Sequence, residues 1–259
     1  MLNLQEIEQQ YPESLRPFKK GLLREYLQYK ILEIIFASSY AGRLSFLGGT
    51  ALRLVHGNTR FSEDLDFDNF NLSREEFDGL AQKVRAGLEA QGLKVEVDTI
   101  AKGAYRCRIR LPEILFINQL SAYREEKILI QIDSQAHKFA YHPDKRIINR
   151  FDIFSEIFVT PPEILLSQKI YAAINRKRAK GRDFYDIVFL FSFTKPDYGY
   201  LNLKLDVKNV KALRTKILKS IKNLDFEELE RDVRPFLFNP DDSRKVRLFP
   251  EFIAQVPFE

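Results

Sequence analysis

The sequence predicts an α+β fold, in which helices flank a mixed sheet and an α-helical lobe follows. Apolar residues between positions 15 and 41 recur every three or four residues, as they do on the buried side of a helix. Short apolar or alternating runs, typical of strands, are then interspersed with helical segments as far as residue 132. After Pro161 and Pro162 only helical patterns appear. A chain of 259 residues is long enough to bury a core and carry an attached lobe.

The first half of the chain is predicted to alternate helices with strands. The N-terminal helix should stop at Gly42, while Thr50 and Ser73 are suited to cap the two helices that follow. Gly92 is a stop signal for the second of these helices. The predicted helices cover residues 15–41, a segment starting at Thr50, and residues 73–91, and the predicted strands cover residues 44–47, 64–67, 94–100, 105–111 and 127–132.

The second half is predicted to be helical, with a loop rich in turn formers and tyrosine over residues 195–202. The predicted helices cover residues 163–176, 183–193, 208–222 and 226–231. We therefore expect three segments: an N-terminal helical segment packed on the core (1–41), the core itself (42–150) and a helical C-terminal lobe (151–259).

Composition favours a polyanionic partner only modestly. Lys and Arg number 41 against 36 Asp and Glu, which gives a formal charge of +5 and a pI of about 9.1. The single cysteine, Cys107, cannot form an internal disulfide and indicates a reducing compartment. The first residues lack the pattern of a signal peptide, and no apolar stretch of membrane-spanning length is evident. We expect a cytoplasmic protein without a membrane partner.

The most informative stretch, residues 46–68, reads FLGGTALRLVHGNTRFSEDLDFD. Gly48 and Gly49 lie between a predicted strand and a predicted helix, where missing side chains let a phosphate approach the backbone closely. The free N–H groups at the helix start and the Thr50 hydroxyl can donate to that phosphate. A glycine pair alone is usually only a turn, so the prediction depends on the acidic residues of the next strand.

Asp64 and Asp66 are separated by one residue on a predicted strand, so both carboxylates leave the same face. Such a pair suits Mg²⁺ or Mn²⁺, because these ions prefer oxygen ligands and Mg²⁺ is usually held by one or two carboxylates plus substrate phosphates. Leu65 and Phe67 should anchor the opposite face in the core. An isolated Asp-x-Asp is usually solvated surface, but its conjunction with the glycine turn favours one phosphate and metal site.

The segments GGTALRL and RFSEDLDF together resemble the signature of the polymerase-beta-like nucleotidyltransferase superfamily, and in particular its AbiEii/AbiGii branch. That branch includes the nucleotidyltransferase toxins of type IV toxin–antitoxin systems and is related to the MenT toxins. Lys169 in PPEILLSQKIYAAINR and Asp183 in KGRDFYDIVFL match two later motifs of the family. The resemblance implies a nucleotidyltransferase core over residues 42–150 and an active site lined by Thr50, Asp64, Asp66, Lys169 and Asp183.

Lys169 and Arg176 are seven residues apart and so nearly aligned on one predicted helix face, from which both can reach a triphosphate. Apolar neighbours distinguish Lys169 from an ordinary solvated lysine. Asp183, at the start of its predicted helix, fits a capping residue as well as a site carboxylate that accepts the acceptor's proton. Asp186 is expected to pair with Arg182 or with a neighbouring helix.

Several further polar residues are weaker candidates. Asp133, interpreted as ending a strand, is either a third metal carboxylate or turn chemistry. Four arginines can bind an acceptor backbone or simply lie on an exposed surface: Arg60, Arg106, Arg108 and Arg110. No metal-ligand spacing or catalytic partner is evident for His56, His137 or His142. Cys107 is interpreted as a packed cysteine.

The resulting hypothesis is transfer of a nucleoside monophosphate from an NTP to an RNA acceptor, with pyrophosphate as the leaving group. By resemblance, the acceptor is the 3′ end of tRNA and the partner an AbiEi-like antitoxin encoded nearby. Transfer to a protein or small molecule would use the same metal site. A non-catalytic nucleotide- or RNA-binding protein is the remaining alternative, which the intact Asp64 and Asp66 pair disfavours.

Overall fold

The computed structural model describes residues 1–102 and 104–258 and divides them into two compact units. The first unit comprises residues 1–56, 61–138 and 143–159, and the second comprises residues 57–60, 139–142 and those from 160 onward. No helix in the described part of the chain is both long enough and apolar enough to cross a membrane.

The first unit contains a seven-stranded mixed sheet, so the predicted α+β class is confirmed. Its helices are α1 (Leu4–Gln9), α2 (Lys19–Phe36), α3 (Gly48–Leu54), α4 (Arg74–Glu89) and α5 (Ile114–Ile117). Its strands are β1 (Leu44–Leu47), β2 (Leu65–Asn69), β3 (Glu96–Lys102), β4 (Ala104–Leu111), β5 (Ile128–Gln135), β6 (Asp144–Arg150) and β7 (Ile153–Val159).

The sheet has the order β3-β4-β5-β2-β1-β7-β6, which places β1 and β2 near its centre. β2 pairs in parallel with β5, and β1 pairs in parallel with β7. The other neighbouring strands run antiparallel. One face carries the core: Leu65 and Phe67 of β2 are buried there, as are Cys107 and Ile109 of β4. The sheet therefore brings the two chemically informative strands to its middle.

The second unit is mainly helical. Its helices are α6 (Pro162–Asn175), α7 (Gly181–Phe191), α8 (Tyr198–Leu205), α9 (Val210–Ile221), α10 (Phe226–Val233), α11 (Arg244–Arg247) and α12 (Phe249–Gln255). An aromatic cluster lies in its core, where the Phe184 and Phe249 rings are 4.8 Å apart in an edge-on arrangement. Four of the predicted helices thus correspond to α6, α7, α9 and α10.

The local helix signals are confirmed at α4. Ser73 accepts a hydrogen bond from the Glu76 N–H, and the Glu76 carboxylate accepts one from the Ser73 N–H, which forms a capping box. After the helix, Gly92 adopts a φ of +84°, the left-handed conformation expected of a terminating glycine.

The N-terminal helix is shorter than predicted. Residues 13–18 form a 3₁₀ helix that contains Pro17, which lacks the N–H needed to continue an α-helical ladder. At the other end α2 stops at Phe36, and the Ser38 hydroxyl donates to the Ile35 carbonyl. Gly42 therefore lies in a later 3₁₀ turn, Ala41–Arg43, and does not end the helix.

Two further predictions were wrong. Residues 153–159, assigned from sequence to the helical lobe, form β7 inside the sheet, and β6 was not predicted. The predicted loop over residues 195–202 contains the start of α8, because the Asp197 carboxylate accepts a hydrogen bond from the Tyr200 N–H and caps a new helix.

Candidate active site

A glycine turn joins β1 directly to α3. Gly48 has a φ of +79°, a conformation that residues with side chains rarely adopt. A Cβ atom at this position would lie 2.3 Å from Oδ2 of Asp66. The N-cap residue Leu47 makes no side-chain hydrogen bond to the helix start. Glycine is therefore required both by the backbone conformation and by the close approach of the Asp66 carboxylate.

The acidic residues of β2 alternate with its core residues. Leu65 and Phe67 are buried, whereas Asp66 and the preceding Asp64 are only half-buried. Asp68, next in the same alternation, is 1% exposed, and its carboxylate accepts hydrogen bonds from the backbone N–H groups of Asn69 and His137. Two carboxylates thus remain accessible on this face, while the third stabilises the local backbone.

Asp133 lies beside Asp66, but it is held by other residues. The register aligns Asp66 of β2 with Asp133 of β5 and Asp133 with Arg106 of β4, so the three side chains share one face of the sheet. One Asp133 oxygen accepts from Arg106 Nε at 2.7 Å and the other from Gln131 Nε2 at 2.8 Å. Asp133 lies inside β5, not at its end, so the turn interpretation was wrong.

Negative charge is concentrated around Arg106. The hydrogen bond to Asp133 and the charge of Asp133 raise the pKa of Arg106, and the charge of Asp64 adds to the effect. Asp64 and Asp133 therefore act on one guanidinium. Arg106 balances part of the acidic charge that Asp64 and its neighbours bring to this face.

The donor set fits a hard divalent cation. Asp66 on β2 and Asp64, which immediately precedes this strand, are half-buried carboxylates, and carboxylate oxygens are the ligands that Mg²⁺ prefers. Within residues 1–102 and 104–258, no group of three or more His, Cys, Asp or Glu side chains is arranged to hold a metal ion. A pair of carboxylates still suffices for Mg²⁺, because substrate phosphates and water normally complete its coordination.

Thr50 differs from its predicted role. It lies inside α3, which begins at Gly48, and therefore does not cap the helix. Its side chain is fully buried, and the hydroxyl donates a hydrogen bond to the backbone carbonyl of Asp64. In this structure Thr50 fixes the start of the acidic strand, instead of presenting its hydroxyl to a ligand.

In the second unit, the residues predicted from α6 and α7 meet one another. Lys169 Nζ lies 3.5 Å from Oδ1 of Asp183 and 2.8 Å from Oδ2 of Asp186. Arg176, the C-cap residue of α6 and not part of the helix as predicted, places Nε 3.2 Å from Oδ2 of Asp183, so Lys169 and Arg176 approach the same carboxylate. Asp183 is 2% exposed and lies in the first turn of α7, not at its cap. Lys169 bridges two buried carboxylates.

Arg60 and Asp186 form a buried ion pair that the sequence did not reveal. Arg60 donates from Nε and Nη2 to the two oxygens of Asp186 at 2.7 and 2.6 Å, and Asn58 donates to the same carboxylate at 2.9 Å. Arg60 is 1% exposed, so it is not available to an acceptor backbone. Burial alone would raise the pKa of Asp186, but Arg60 and Lys169 hold it at about 2. Of the two alternatives predicted for Asp186, the neighbouring helix is confirmed, since Lys169 of α6 pairs with it, whereas Arg182 lies over the Phe236 ring.

The arginines of β4 share one face, as their alternation predicts. Arg106, Arg108 and Arg110 are partly exposed, while the intervening Cys107 and Ile109 are buried. Arg108 lies 3.8 Å from an Asp98 oxygen.

The environments of Cys107 and His56 do not favour a nucleophile or a general base. Burial raises the pKa of Cys107 to about 12, which confirms a packed thiol. Burial, together with the charge of Arg146, lowers the pKa of His56 to about 4. Both groups are therefore held in their neutral forms at pH 7.

These features agree with a match of residues 30–249 to the model for the nucleotidyl transferase AbiEii toxin of type IV toxin–antitoxin systems. The chain belongs to the AbiEii family. It is thus a nucleotidyltransferase of a family that pairs a toxin with an antitoxin. No protein with a curated description matches the chain.

Solved structures support the fold of this AbiEii protein. JHP933 from Helicobacter pylori has a TM-score of 0.55 and 17% identity, covering 91% of this chain and 92% of that chain. A protein from H. pylori provisionally named a nucleotidyltransferase gives the same TM-score and identity, with 91% and 95% covered. An antigenic nucleotidyltransferase-like protein from Paracoccidioides brasiliensis has a TM-score of 0.49 and 16% identity, with 86% and 92% covered. At these identities the first two establish a shared fold alone.

Proposed function

We propose that this AbiEii protein is a magnesium-dependent enzyme that transfers a nucleoside monophosphate from an NTP to the 3′ end of tRNA. The observation that carries the proposal is the half-buried pair Asp64 and Asp66 beside the Gly48 turn, where Asp66 leaves no room for a side chain. Mn²⁺ is expected to substitute for Mg²⁺, and an AbiEi-like protein encoded nearby is the proposed antitoxin.

In the proposed reaction, the acceptor hydroxyl oxygen forms a bond to the α phosphorus of the NTP. The bond from that phosphorus to the bridging oxygen breaks, pyrophosphate leaves, and the hydroxyl proton passes to solvent or to a carboxylate. The cation, held by Asp64 and Asp66, would supply positive charge to the phosphates and lower the pKa of the acceptor hydroxyl. Gly48 and Gly49 would let the triphosphate approach the backbone.

Lys169 and Asp183 enter the proposal through the family resemblance, and Arg176 enters it through its spacing of seven residues from Lys169. Lys169 and Arg176 are assigned to the triphosphate as cationic ligands. Asp183 lies between them, with its carboxylate in ion-pair range of both. Because of this arrangement, we assign to Asp183 the role of orienting Lys169 and Arg176, and not the role of accepting the proton of the acceptor hydroxyl.

The decisive experiment follows label from each NTP. Purified protein is incubated with Mg²⁺, total tRNA and each NTP labelled at the α phosphorus, and parallel reactions carry label at the γ phosphorus. The proposal expects α label on tRNA and none from the γ position. Label on a protein or a small molecule would show that the acceptor is not tRNA. Binding of nucleotide or RNA without transfer would contradict an enzymatic function.

A matched pair of variants tests the metal assignment. Asp66→Asn should lower transfer by about a thousandfold, because a site that loses several kcal/mol of charge stabilisation slows tenfold per 1.36 kcal/mol. Asp78→Asn makes the same chemical change on a partly exposed α4 side chain and should leave transfer unchanged. Asp66→Cys should regain part of its activity when thiophilic Cd²⁺ or Mn²⁺ replaces Mg²⁺. Full activity of Asp66→Asn would refute the assignment.

A further inference from the structure

One helical segment of the second unit carries a local excess of positive charge. Residues 208–222 read KNVKALRTKILKSIK and contain six basic residues and no acidic residue. The whole chain has a formal charge of only +5, so the remaining residues together are slightly acidic. The segment, which occupies α9 and its two flanks, therefore has a larger net positive charge than the rest of the chain taken together.

The inner side of α9 packs into the core of the second unit. Leu213, Ile217 and Ile221 are buried. Two of the basic residues make hydrogen bonds within the same unit: Arg214 donates to the Val256 carbonyl at 2.7 Å, and Lys216 donates to the Leu205 carbonyl at 2.6 Å.

The other four basic residues are all exposed: two lie on the outer side of α9, one lies just before its N-cap and one is its C-cap residue. We name them the α9 lysine stripe: Lys208, Lys211, Lys219 and Lys222. On the helix, Lys211, Thr215, Lys219 and Lys222 follow steps of three and four residues, so they lie along one side over roughly 16 Å at 1.5 Å per residue.

The stripe is not neutralised by neighbouring carboxylates. Among the residues that the structure describes, none of its four ammonium groups lies in ion-pair range of a carboxylate. Three exposed lysines of the first unit differ, since Lys20, Lys94 and Lys127 each pair with a glutamate at 2.6–2.8 Å.

The geometry favours a nucleic-acid backbone over a membrane. Helices that bind bilayers insert an apolar face, but the apolar face of α9 is already buried in its own unit. A row of lysines without base-reading aromatic residues suits phosphates, whose binding releases counterions. We propose that the α9 lysine stripe binds the phosphate backbone of the RNA acceptor, which rests on the proposed function for the presence of such an acceptor.

Two charge-matched variants test the stripe. In the stripe variant, all four lysines become glutamine. In the control variant, four exposed lysines of the first unit, each paired with a glutamate, become glutamine: Lys19, Lys20, Lys94 and Lys127. Both variants lose the same charge. Affinity for tRNA is measured by fluorescence anisotropy without NTP over a series of salt concentrations, and circular dichroism checks the fold.

The stripe variant should bind tRNA at least about tenfold more weakly. Its slope of log affinity against log salt should fall by about 3 to 4, since each lost phosphate contact removes about 0.9 from the slope on a duplex. The control should keep most of the slope. Equal losses in both variants would overturn the proposal in favour of net charge, and unchanged binding by the stripe variant would overturn it outright.

Transfer assays separate this proposal from the proposed function. If wild-type protein binds tRNA through the stripe but transfers no label to it, the proposal that the stripe binds RNA is supported, and the assignment of tRNA as the acceptor is refuted. If wild type and stripe variant both label tRNA with the same KM, the proposal that the stripe binds RNA is refuted, and the proposed function is supported. Binding of wild type to phosphatidylserine vesicles, with no binding to RNA, would also overturn the proposal.

Discussion

The two units hold their carboxylates in opposite environments. In the second unit, Asp186 is 0% exposed and receives donors from Arg60, Asn58 and Lys169, so its charge is compensated inside the protein. In the first unit, Asp66 on β2 and Asp64 just before it remain half-buried. The contrast indicates that Asp186 serves stability, whereas the β2 pair keeps oxygens within reach of a ligand. Substitutions in each unit test this division.

The largest expected effect on stability is at Asp186. Asp186→Ala leaves the buried Arg60 guanidinium without its carboxylate, and breaking a buried pair in this way typically costs about 3–5 kcal/mol of unfolding free energy. Urea denaturation measures the loss. As a control, Asp242→Ala removes a partly exposed pair with Lys245 and should cost at most about 1 kcal/mol. Similar losses in the two variants would contradict the assignment of Asp186 to stability.

Gly48→Ala should separate function from stability. Its positive φ costs about 1–2 kcal/mol with any side chain, and the new methyl group must displace the Asp66 carboxylate. Gly92 has a similar φ of +84°, but a Cβ atom added there would meet no other atom within 4 Å, so Gly92→Ala is the matched control. Both variants should therefore lose stability in urea, Gly48→Ala by more because of the clash with Asp66, and only Gly48→Ala should lose nucleotidyl transfer. Transfer at the wild-type rate in Gly48→Ala would show that the position of Asp66 does not matter.

Local rules in the sequence predicted much of the first unit and the acidic face. The Ser73 cap, the Gly92 stop and the alternation of Asp64 and Asp66 with Leu65 depend on near neighbours, and each corresponds to a feature of the structure. The glycine turn was predicted to allow close approach. The structure adds that the approaching group is the Asp66 carboxylate, a contact across two strands that spacing alone does not specify.

The missed features depend on distant partners or on unusual turns. Arg60 was grouped with the arginines that can bind an acceptor backbone or lie on an exposed surface, but its partner Asp186 lies 126 positions later. The β6–β7 hairpin turns at Phe151 and Asp152, and Phe151 has a φ of +60°. Neither of these two turn residues is a glycine or an asparagine. The Phe151 ring packs against Tyr26 and Tyr29, a tertiary contact that offsets its unfavourable backbone conformation.

Lowering the pH should reduce the stability of the two units over different pH ranges. The pKa of His56, in the first unit, is lowered by burial from 6.5 to about 4, so the unfolded chain binds the proton more readily. Stability should therefore fall as pH drops from about 6.5 to about 4. Asp186, with a pKa near 2 in place of 3.8, should lose its contribution only between about pH 4 and pH 2. Urea titrations of His56→Gln should show a flatter profile above pH 4, and an unchanged profile would contradict the role of His56.

The smallest expected effect is at Asp133, which shares its sheet face with Asp66 but has both oxygens occupied by Arg106 and Gln131. Asp133→Asn removes a partly exposed ion pair, so the unfolding free energy should change by at most about 1 kcal/mol. If the cation needs only Asp64 and Asp66, transfer by Asp133→Asn should stay within about tenfold of wild type, about one 1.36 kcal/mol step. A loss as large as that of Asp66→Asn, with the fold intact, would make Asp133 a third ligand and require Arg106 to release it when the cation binds.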